Sequence, residues 1–291
     1  MLRGRELCLA PNNGDSQGAA TAPRNQPFLR WAGGKRQILQ LLLAELPRNI
    51  AKLNYHEPFL GAGSLFFALD PAHAFLSDAN SALIQTFAWV RDAPEAVHRE
   101  LRRHARLHCD GYYYEIRERY NASGPCAAQA ARFIYLNKAC FNGIFRVNRK
   151  GHFNVPVGDK KSIAMPTTAG MKSISLKLKQ ASLSSDGYMT TISKVNKGDF
   201  VYLDPPYPPL NGTAYFNHYT TPRFGTLEHE GLAKAFRSLD NLGAQVLLSN
   251  ADTPEVRQWY RGYRLKTTEA IRYVTCKKIR HRVNELIIKN F

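Results

Sequence analysis

Residues 54–78 read Asn54-Tyr-His-Glu-Pro-Phe-Leu-Gly-Ala-Gly-Ser-Leu-Phe-Phe-Ala-Leu-Asp-Pro-Ala-His-Ala-Phe-Leu-Ser-Asp78. Asn54–Phe59 has the pattern of a short strand leading into Gly61-Ala-Gly63. Ser64–Leu69 then starts a helix, and Ala74–Ser77 is a second strand that stops at Asp78. Strand, glycine loop, helix, strand, acid is the first half of a doubly wound nucleotide-binding unit. The glycines let backbone approach a ligand at a helix N-terminus, and an acid at the carboxyl end of the next strand can accept both hydroxyls of a ribose. Asp78 stands about fifteen residues beyond the glycines. Spacing alone leaves it a second role, as N-cap of a helix beginning at Ser81. Gly-x-Gly by itself is a weak signal, and the third glycine of a dinucleotide fingerprint is missing. No Gly-x-x-x-x-Gly-Lys-Ser/Thr occurs, so Gly33-Gly34-Lys35 is not a phosphate loop, which argues against an ATPase or kinase.

Downstream the α/β order resumes with a strand at 181–185, a helix at 189–195 and a strand ending in Val201-Tyr-Leu-Asp-Pro-Pro-Tyr207. The prolines fix φ and withhold N–H groups, so Asp204 sits on a stiff loop with unused carbonyls. Such a loop suits a planar amine. The Asp204 carboxylate and the Pro205 carbonyl can accept both N–H bonds of an exocyclic amine while Tyr207 stacks on the attached ring. That amine is a poor nucleophile because its lone pair is delocalised into the heterocycle. Two acceptors that favour a pyramidal nitrogen restore the lone pair and stabilise the charge that develops on attack. A bare Asp-Pro-Pro reads as a turn; the strand before it and the aromatic after it point to amine binding.

The remaining chain frames these two motifs. Lys35, Ile38, Leu39, Leu42 and Leu43 give a helix with one apolar face, ended by Pro47. Residues 81–135 are helical in pattern, with breaks near Asp92-Ala-Pro94 and Asn121–Pro125. Phe145–Val155 reads as a hairpin with a corner at Arg149-Lys150-Gly151, and 159–178 as basic loop. A helix at 227–242, a strand at 245–249, a helix at 254–260 and a strand at 283–289 complete the chain. The expected organisation is a flexible extension at 1–26, a cofactor part of the core at 27–90, an inserted target-reading subdomain at 91–165 and a catalytic part at 166–291.

A formal charge of +17 exceeds what solubility needs and points to a polyanionic partner, nucleic acid above all. The excess is concentrated. Fourteen Lys/Arg face seven Asp/Glu between Arg91 and Lys161, and ten face four from Ala251 onward, which suggests two walls of a groove. The five scattered cysteines contain no Cys-x-x-Cys pair, so neither a zinc knuckle nor a disulfide framework is supported. With no apolar leader or spanning run, a soluble, reduced, cytoplasmic setting without metal or membrane is expected.

The chain resembles the Dam-type DNA adenine-N6 methyltransferases. The resemblance rests on six motifs in order: Phe28-Leu-Arg-Trp-Ala-Gly-Gly-Lys35, Glu57–Ser64, Ser77-Asp-Ala-Asn80, Leu136-Asn-Lys-Ala-Cys-Phe-Asn-Gly-Ile-Phe-Arg146, Gly151-His-Phe-Asn-Val-Pro-Val-Gly158 and Asp204–Tyr207. It implies a Rossmann-like α/β core that binds S-adenosyl-L-methionine, with a mostly parallel seven-stranded sheet, an antiparallel last hairpin and an inserted helical and hairpin DNA-recognition subdomain. Asp204, Pro205, Pro206 and Tyr207 become the catalytic loop. Gly61, Gly63 and Asp78 become cofactor contacts, with Asp204 beside them. Trp31 and Lys35, alone a core residue and a solvated charge, become neighbours of the cofactor, Lys35 as partner of its carboxylate. Phe59 and Asp186 join them more weakly, Asp186 because it follows the third strand, near the cofactor's adenine.

An amine inside a duplex is out of reach, so the base must be flipped. The resemblance makes Phe141, next to Asn142, the wedge that fills the hole; read alone, Phe141 is core. It also makes Arg146 the reader of a guanine, Ile144 and Pro156 the contacts of a thymine methyl, and Arg30 a second guanine contact, within GATC. Arg149, Lys150, Lys277, Lys278, Arg280 and Arg282 suit phosphates. Double-stranded DNA is the expected partner, and a monomer the acting form. Two rivals remain on sequence: an enzyme of RNA bases or cytosine N4, and a catalytically silent DNA-binding module.

Overall fold

Seven strands build one sheet: β1 (Asn54–Glu57), β2 (His73–Ser77), β3 (Ala181–Ser184), β4 (Phe200–Leu203), β5 (Gln245–Ala251), β6 (Arg264–Tyr273) and β7 (Arg280–Lys289). These come from a computed structural model that describes residues 26–69, 71–208, 224–273 and 280–291, with backbone only at 270–273 and 280–282. The strand order is β3-β2-β1-β4-β5-β7-β6. The first five strands run parallel, and β7 lies antiparallel between β5 and β6. The chain leaves β1 toward one edge and later returns through β4 toward the other. The crevice at the carboxyl ends of β1 and β4 is therefore the switch point where an open α/β sheet holds ligands.

The helices are α1 (Leu39–Ala44), α2 (Ser64–Ala68), α3 (Ser81–Asp92), α4 (Pro94–Arg106), α5 (Asp110–Ala122), α6 (Ala127–Ala139), α7 (Thr168–Leu178), α8 (Tyr188–Ile192), α9 (Thr226–Leu242) and α10 (Pro254–Trp259). They cover the sheet in two layers, and the period of two along the central strands feeds both. In β4, Phe200 and Tyr202 enter the layer with α1–α7, while Val201 and Leu203 enter the layer with α8–α10. In β7, Ile287 faces the first layer and Leu286 and Ile288 the second. Each such side chain, buried to near zero exposure, contributes about 1.5–3 kcal/mol relative to an exposed one. The central strands are thus the rigid platform under the crevice.

Four local readings change. The helix expected from Lys35 begins only at Leu39, because Lys35 is drawn inward to polar partners instead of lying on a helix face. The basic stretch read as loop contains α7. Thr167 caps it by accepting from the Gly170 N–H at 3.1 Å, and Met171, Ile174, Ser175 and Leu178 form its buried face. The long helical stretch has a further break before Asp110, where the His108 ring is tied to the Tyr135 hydroxyl at 2.7 Å and the Lys160 carbonyl at 2.9 Å. The hairpin at 145–155 is a pair of arms joined by the isolated bridge Val147–Phe153, not a regular ladder. β6, which the sequence reading passed over, pairs with β7 along ten residues of register.

Candidate functional site

Leu203 ends β4 fully buried, and the chain emerges as Asp204-Pro-Pro-Tyr207 in irregular backbone. Pro205 is buried and Pro206 exposed, so the loop is anchored at its base and open at its tip. Asp204 Oδ1 accepts from Ser249 Oγ at 2.8 Å and lies 2.8 Å from Lys35 Nζ. Ser249, on β5, shares a 2.9 Å hydrogen bond with the Tyr202 hydroxyl. Lys35 is buried, donates to the Gly33 carbonyl at 2.7 Å and sits 4.6 Å from the centre of the Tyr207 ring. The Tyr207 hydroxyl donates to Glu285 Oε2 on β7 at 3.1 Å. Burial pushes the Asp204 carboxyl up, and Lys35 and Ser249 pull it back toward the charged form.

The glycine loop lies beside this cluster. Asp78 accepts from the Gly61 N–H at 3.0 Å and the Asn80 N–H at 2.9 Å. The cap of α3 is Asn80, which accepts from Leu83 N–H, so Asp78 is not the helix cap. Burial raises the Asp78 carboxyl, opposed by those two N–H groups. Trp31 crosses the loop so closely that a Cβ on Gly61 would stand 2.7 Å from its Cδ1, and Gly61 has a φ of +48°. Only glycine fits there. The Trp31 ring stacks on Phe145 and Phe133 at 5.8 and 6.4 Å. Phe59 stacks on Tyr188 at 5.3 Å, and Phe224 meets it edge-on at 5.6 Å. Asp186 ends the β3 side in an exposed ion pair with Lys194 at 3.0 Å. Its carboxyl is lowered by the Ser184 hydroxyl and then by Lys194. Gly63 closes the loop in left-handed backbone, with φ +69°.

One residue of the quoted motif had no role assigned from sequence. Glu57 ends β1 fully enclosed, accepts from the Tyr55 hydroxyl at 2.7 Å, and is pushed up to about 8 by burial, with Asp204 and Asp78 adding to the rise. Glu57, Asp78, Asp204 and Glu285 therefore bring four carboxyl groups to one crevice, and Lys35 is the fully buried lysine among the described residues. An environment that crowds carboxylates and raises their affinity for protons favours a cationic guest.

The expected DNA-reading residues form a second, exposed group. Asn137, buried on α6, accepts from the Arg30 N–H at 2.8 Å and donates to the Arg30 carbonyl at 2.7 Å and the Gly143 carbonyl at 3.3 Å. It bolts the segment before Trp31 to the turn at Phe141–Gly143. Gly143, at φ +67°, leaves space that a Cβ would fill at 2.9 Å from Arg30. Phe141 is half-buried against the core, while Asn142, at φ 54°, is exposed beside it. Phe141 N–H donates to the Pro156 carbonyl at 3.0 Å, and Gly158 N–H to the Ala139 carbonyl at 2.9 Å, pinning the far arm of the hairpin to α6. Ile144, Arg146 and Pro156 are exposed. Arg146 is held by Asn154, with Nε donating to Oδ1 at 2.8 Å. Arg149 and Lys150 stand exposed at the corner. Lys277 and Lys278 lie outside the described residues, as do the side chains of Arg280 and Arg282.

Sequence reading gave Lys138, inside a quoted motif, and Lys160, in the basic stretch, no role of their own. Lys138, near the end of α6, is pushed down to about 8 by burial and then by Arg30, Lys160 and Arg36. Lys160 is lowered too, by burial and Arg30, and donates to the Lys138 carbonyl at 2.6 Å. Among the described residues, none of Arg30, Lys138 and Lys160 forms an ion pair. Half-buried cations that crowd together without acidic partners favour a bound anion.

Residues 31–274 match the family described as D12 class N6 adenine-specific DNA methyltransferase. A type II methyltransferase of Methanocaldococcus jannaschii is 35% identical, covering 91% of this chain and 99% of that protein. A type II methyltransferase of Lactococcus lactis subsp. cremoris is 34% identical over 91% of this chain and 95% of its own. The DNA adenine methylase of Escherichia coli K12 matches at 34% identity with the same coverage, 91% and 95%.

Proposed function

The chain belongs to the D12 class of N6 adenine-specific DNA methyltransferases, and from that premise we propose that it transfers the methyl group of S-adenosyl-L-methionine to N6 of an adenine flipped out of duplex DNA, within GATC. The rival readings, RNA bases or cytosine N4 and a silent DNA binder, fall with the family. The observation that carries the proposal is the pairing of an acid-rich crevice at the Asp204 loop with an acid-poor, cation-crowded surface beside it.

The crevice residues fit the cofactor. Its sulfonium and ammonium groups suit the company of Glu57, Asp78 and Asp204, and its carboxylate suits Lys35. The ribose suits Asp78 at the glycine loop, and the adenine suits the Phe59–Tyr188 pair beside Asp186. Bound there, S-adenosylmethionine supplies an electrophilic methyl group. The chain's own residues do the rest. Asp204 and the Pro205 carbonyl accept the two N6 hydrogens and turn the nitrogen lone pair into the crevice. Tyr207, its hydroxyl held by Glu285, carries the flipped base on its ring face. The N6 proton becomes acidic only after transfer, and Asp204, raised by burial, is a better acceptor for it than an ordinary carboxylate.

Lys35 links the two ligands. In the free protein it neutralises Asp204 at 2.8 Å. Drawn to the cofactor's carboxylate, it releases an Asp204 oxygen for the amine, so cofactor loading prepares the loop for the base. Arg146 and Arg30 supply guanine contacts, Ile144 and Pro156 meet a thymine methyl, and Phe141 fills the vacated stack. Arg149, Lys150, Lys138 and Lys160 hold phosphates, and the protein acts as a monomer on one site.

The test is transfer of label from methyl-tritiated S-adenosylmethionine to three duplexes, containing GATC, a scrambled site, and GATC already methylated on both adenines. Incorporation confined to unmethylated GATC, recovered as N6-methyladenine, is expected. Equal incorporation into the scrambled duplex overturns the site assignment, and no incorporation into any duplex overturns the cofactor assignment.

A further inference from the structure

His229 lies on the second turn of α9, 1% exposed, and no step above uses it. Its ring stacks on Trp259 at 5.5 Å and 11° and meets the edge of Phe224 at 4.8 Å. Burial pushes the imidazole down to about 4, so the ring is neutral at physiological pH. The influences opposing that shift are Glu228 and the Pro206 carbonyl, which places the ring next to the second proline of the catalytic loop. Yet neither Nδ1 nor Nε2 has a partner in hydrogen-bonding geometry among the described residues. A neutral imidazole always carries one N–H, and a buried N–H without an acceptor costs free energy that a native protein seldom leaves unrecovered.

We propose that His229 is a positioning residue: its N–H engages the Pro206 carbonyl when the target adenine occupies the loop, fixing the Pro206–Tyr207 peptide. The inference rests on the adenine-methylating reading and deepens it. The Pro205 carbonyl must point at N6, and the Tyr207 ring must lie flat against the base. The peptide between Pro206 and Tyr207 links those two requirements, and Pro206 has no N–H of its own with which the backbone could restrain it. Trp259 sets the plane of the imidazole, and Phe224 closes its edge. The second wall of the crevice thereby reaches a loop that is otherwise held through Lys35, Ser249 and Glu285.

His229→Phe keeps a ring on Trp259 and removes the N–H. The expected result is an unchanged thermal midpoint, unchanged Kd for S-adenosylmethionine and for a GATC duplex, and a fall of about 10- to 100-fold in the single-turnover methyl-transfer rate. A 2-aminopurine at the target adenine should still brighten on binding, since base flipping precedes the alignment that is lost. A wild-type transfer rate in His229→Phe overturns the proposal, as does a loss of rate matched by an equal loss of cofactor or DNA affinity. Should the phenylalanine variant fail to fold, His229→Gln and His229→Met form a pair of nearly equal shape in which only Gln keeps a donor. A faster rate in the Gln variant supports the role, and equal rates overturn it. Wild-type protein assayed alongside separates the two ideas: if it methylates no adenine, the reading of the site fails, whereas normal wild-type activity with an indifferent His229 defeats this inference alone.

Discussion

The crevice at the carboxyl ends of the strands and the surface around Arg30, Lys138 and Lys160 are tuned in opposite directions. In the crevice, burial raises the carboxyl groups: Glu57 reaches about 8 with Asp204 and Asp78 adding to the rise, and Asp78 and Asp204 move the same way. On the surface, burial lowers the lysines and neighbouring cations add to it: Lys138 falls to about 8 with Arg30, Lys160 and Arg36 contributing, and Lys160 follows with Arg30 contributing. Each region holds like charges close together without enough counter-charge of its own. Groups perturbed in this way cluster at functional sites, where a ligand of the opposite sign relieves them. The signs match the proposed ligands, a cationic methyl donor for the crevice and a polyanion for the surface. Two residues join the regions. Lys35 is a cation placed among the acids, and Asn137 fastens Arg30, just before Trp31, to the turn at Phe141–Gly143.

The comparison breaks most sharply at Asp204. Asp204→Ala should lower the single-turnover methyl-transfer rate by at least about 10²- to 10³-fold, the scale seen when a charge-stabilising acceptor or donor is removed from an active site. The same variant should bind S-adenosylmethionine within a few-fold of wild type, because the acid lost beside the cofactor's cationic groups is offset by Lys35, which loses its 2.8 Å partner and becomes available to the cofactor's carboxylate. Calorimetric titration of cofactor beside rapid-quench transfer measures both halves. Substantial turnover in the variant removes Asp204 from the chemistry, and a large loss of cofactor affinity assigns it to binding instead.

A smaller effect is expected on the other side, at Arg146. Its guanidinium is exposed and oriented by Asn154, so removal should leave the fold and the chemistry intact. Arg146→Ala should lose about 1–3 kcal/mol of discrimination against a changed guanine, the worth of one good bidentate base contact. The ratio of kcat/KM on GATC to that on a duplex altered at a single guanine reads this directly. A uniform loss on both duplexes would make Arg146 a phosphate or structural residue, and the division between reading and positioning would have to be redrawn.

How far the two regions could be read from sequence also differs, for a physical reason. The crevice is built from strand ends followed by loops, and a strand that stops at a glycine pair, an acid or two prolines is visible in one dimension. Hence β1, β2 and β4 and the motifs after them were legible. What one dimension hides is convergence. Ser249 and Glu285 meet Asp204 and Tyr207 only because β5 lies beside β4 and β7 beside β5 in the sheet, and Lys35 reaches Asp204 from the segment before α1. Glu57 was quoted within its motif, but its burial and its closeness to Asp204 depend on the same pairing of β1 with β4. On the cation-crowded surface, Lys138 was one charge in a basic stretch until α6 brought it beside Lys160 and Arg30. α7 is a different kind of miss. Its apolar positions Met171, Ile174 and Leu178 recur at helical spacing, with Thr167 as a cap, yet the surrounding lysines and Gly170 made the stretch read as loop.

The finest test of the opposed tuning uses pH on the DNA side, and its sign follows from Lys138. The lysine is lowered to about 8 in the free protein, and phosphate binding favours its protonated form. Below pH 8 the free protein already carries that charge, so DNA binding takes up no proton there. Above pH 8 the free lysine is increasingly neutral, binding must recapture a proton, and affinity falls as pH rises, by at most about tenfold per pH unit for one group. Lys138→Arg keeps the charge and cannot titrate in this range. Wild type and variant should therefore bind a GATC duplex within a few-fold of each other at pH 7, while between pH 8 and 9 the wild type should weaken more steeply. Fluorescence anisotropy at constant ionic strength distinguishes the curves, since salt would otherwise mask a change of this size. Parallel curves would mean that Lys138 does not meet the phosphates, and the lowering of these cations would then reflect burial within the fold and not a stored preference for DNA.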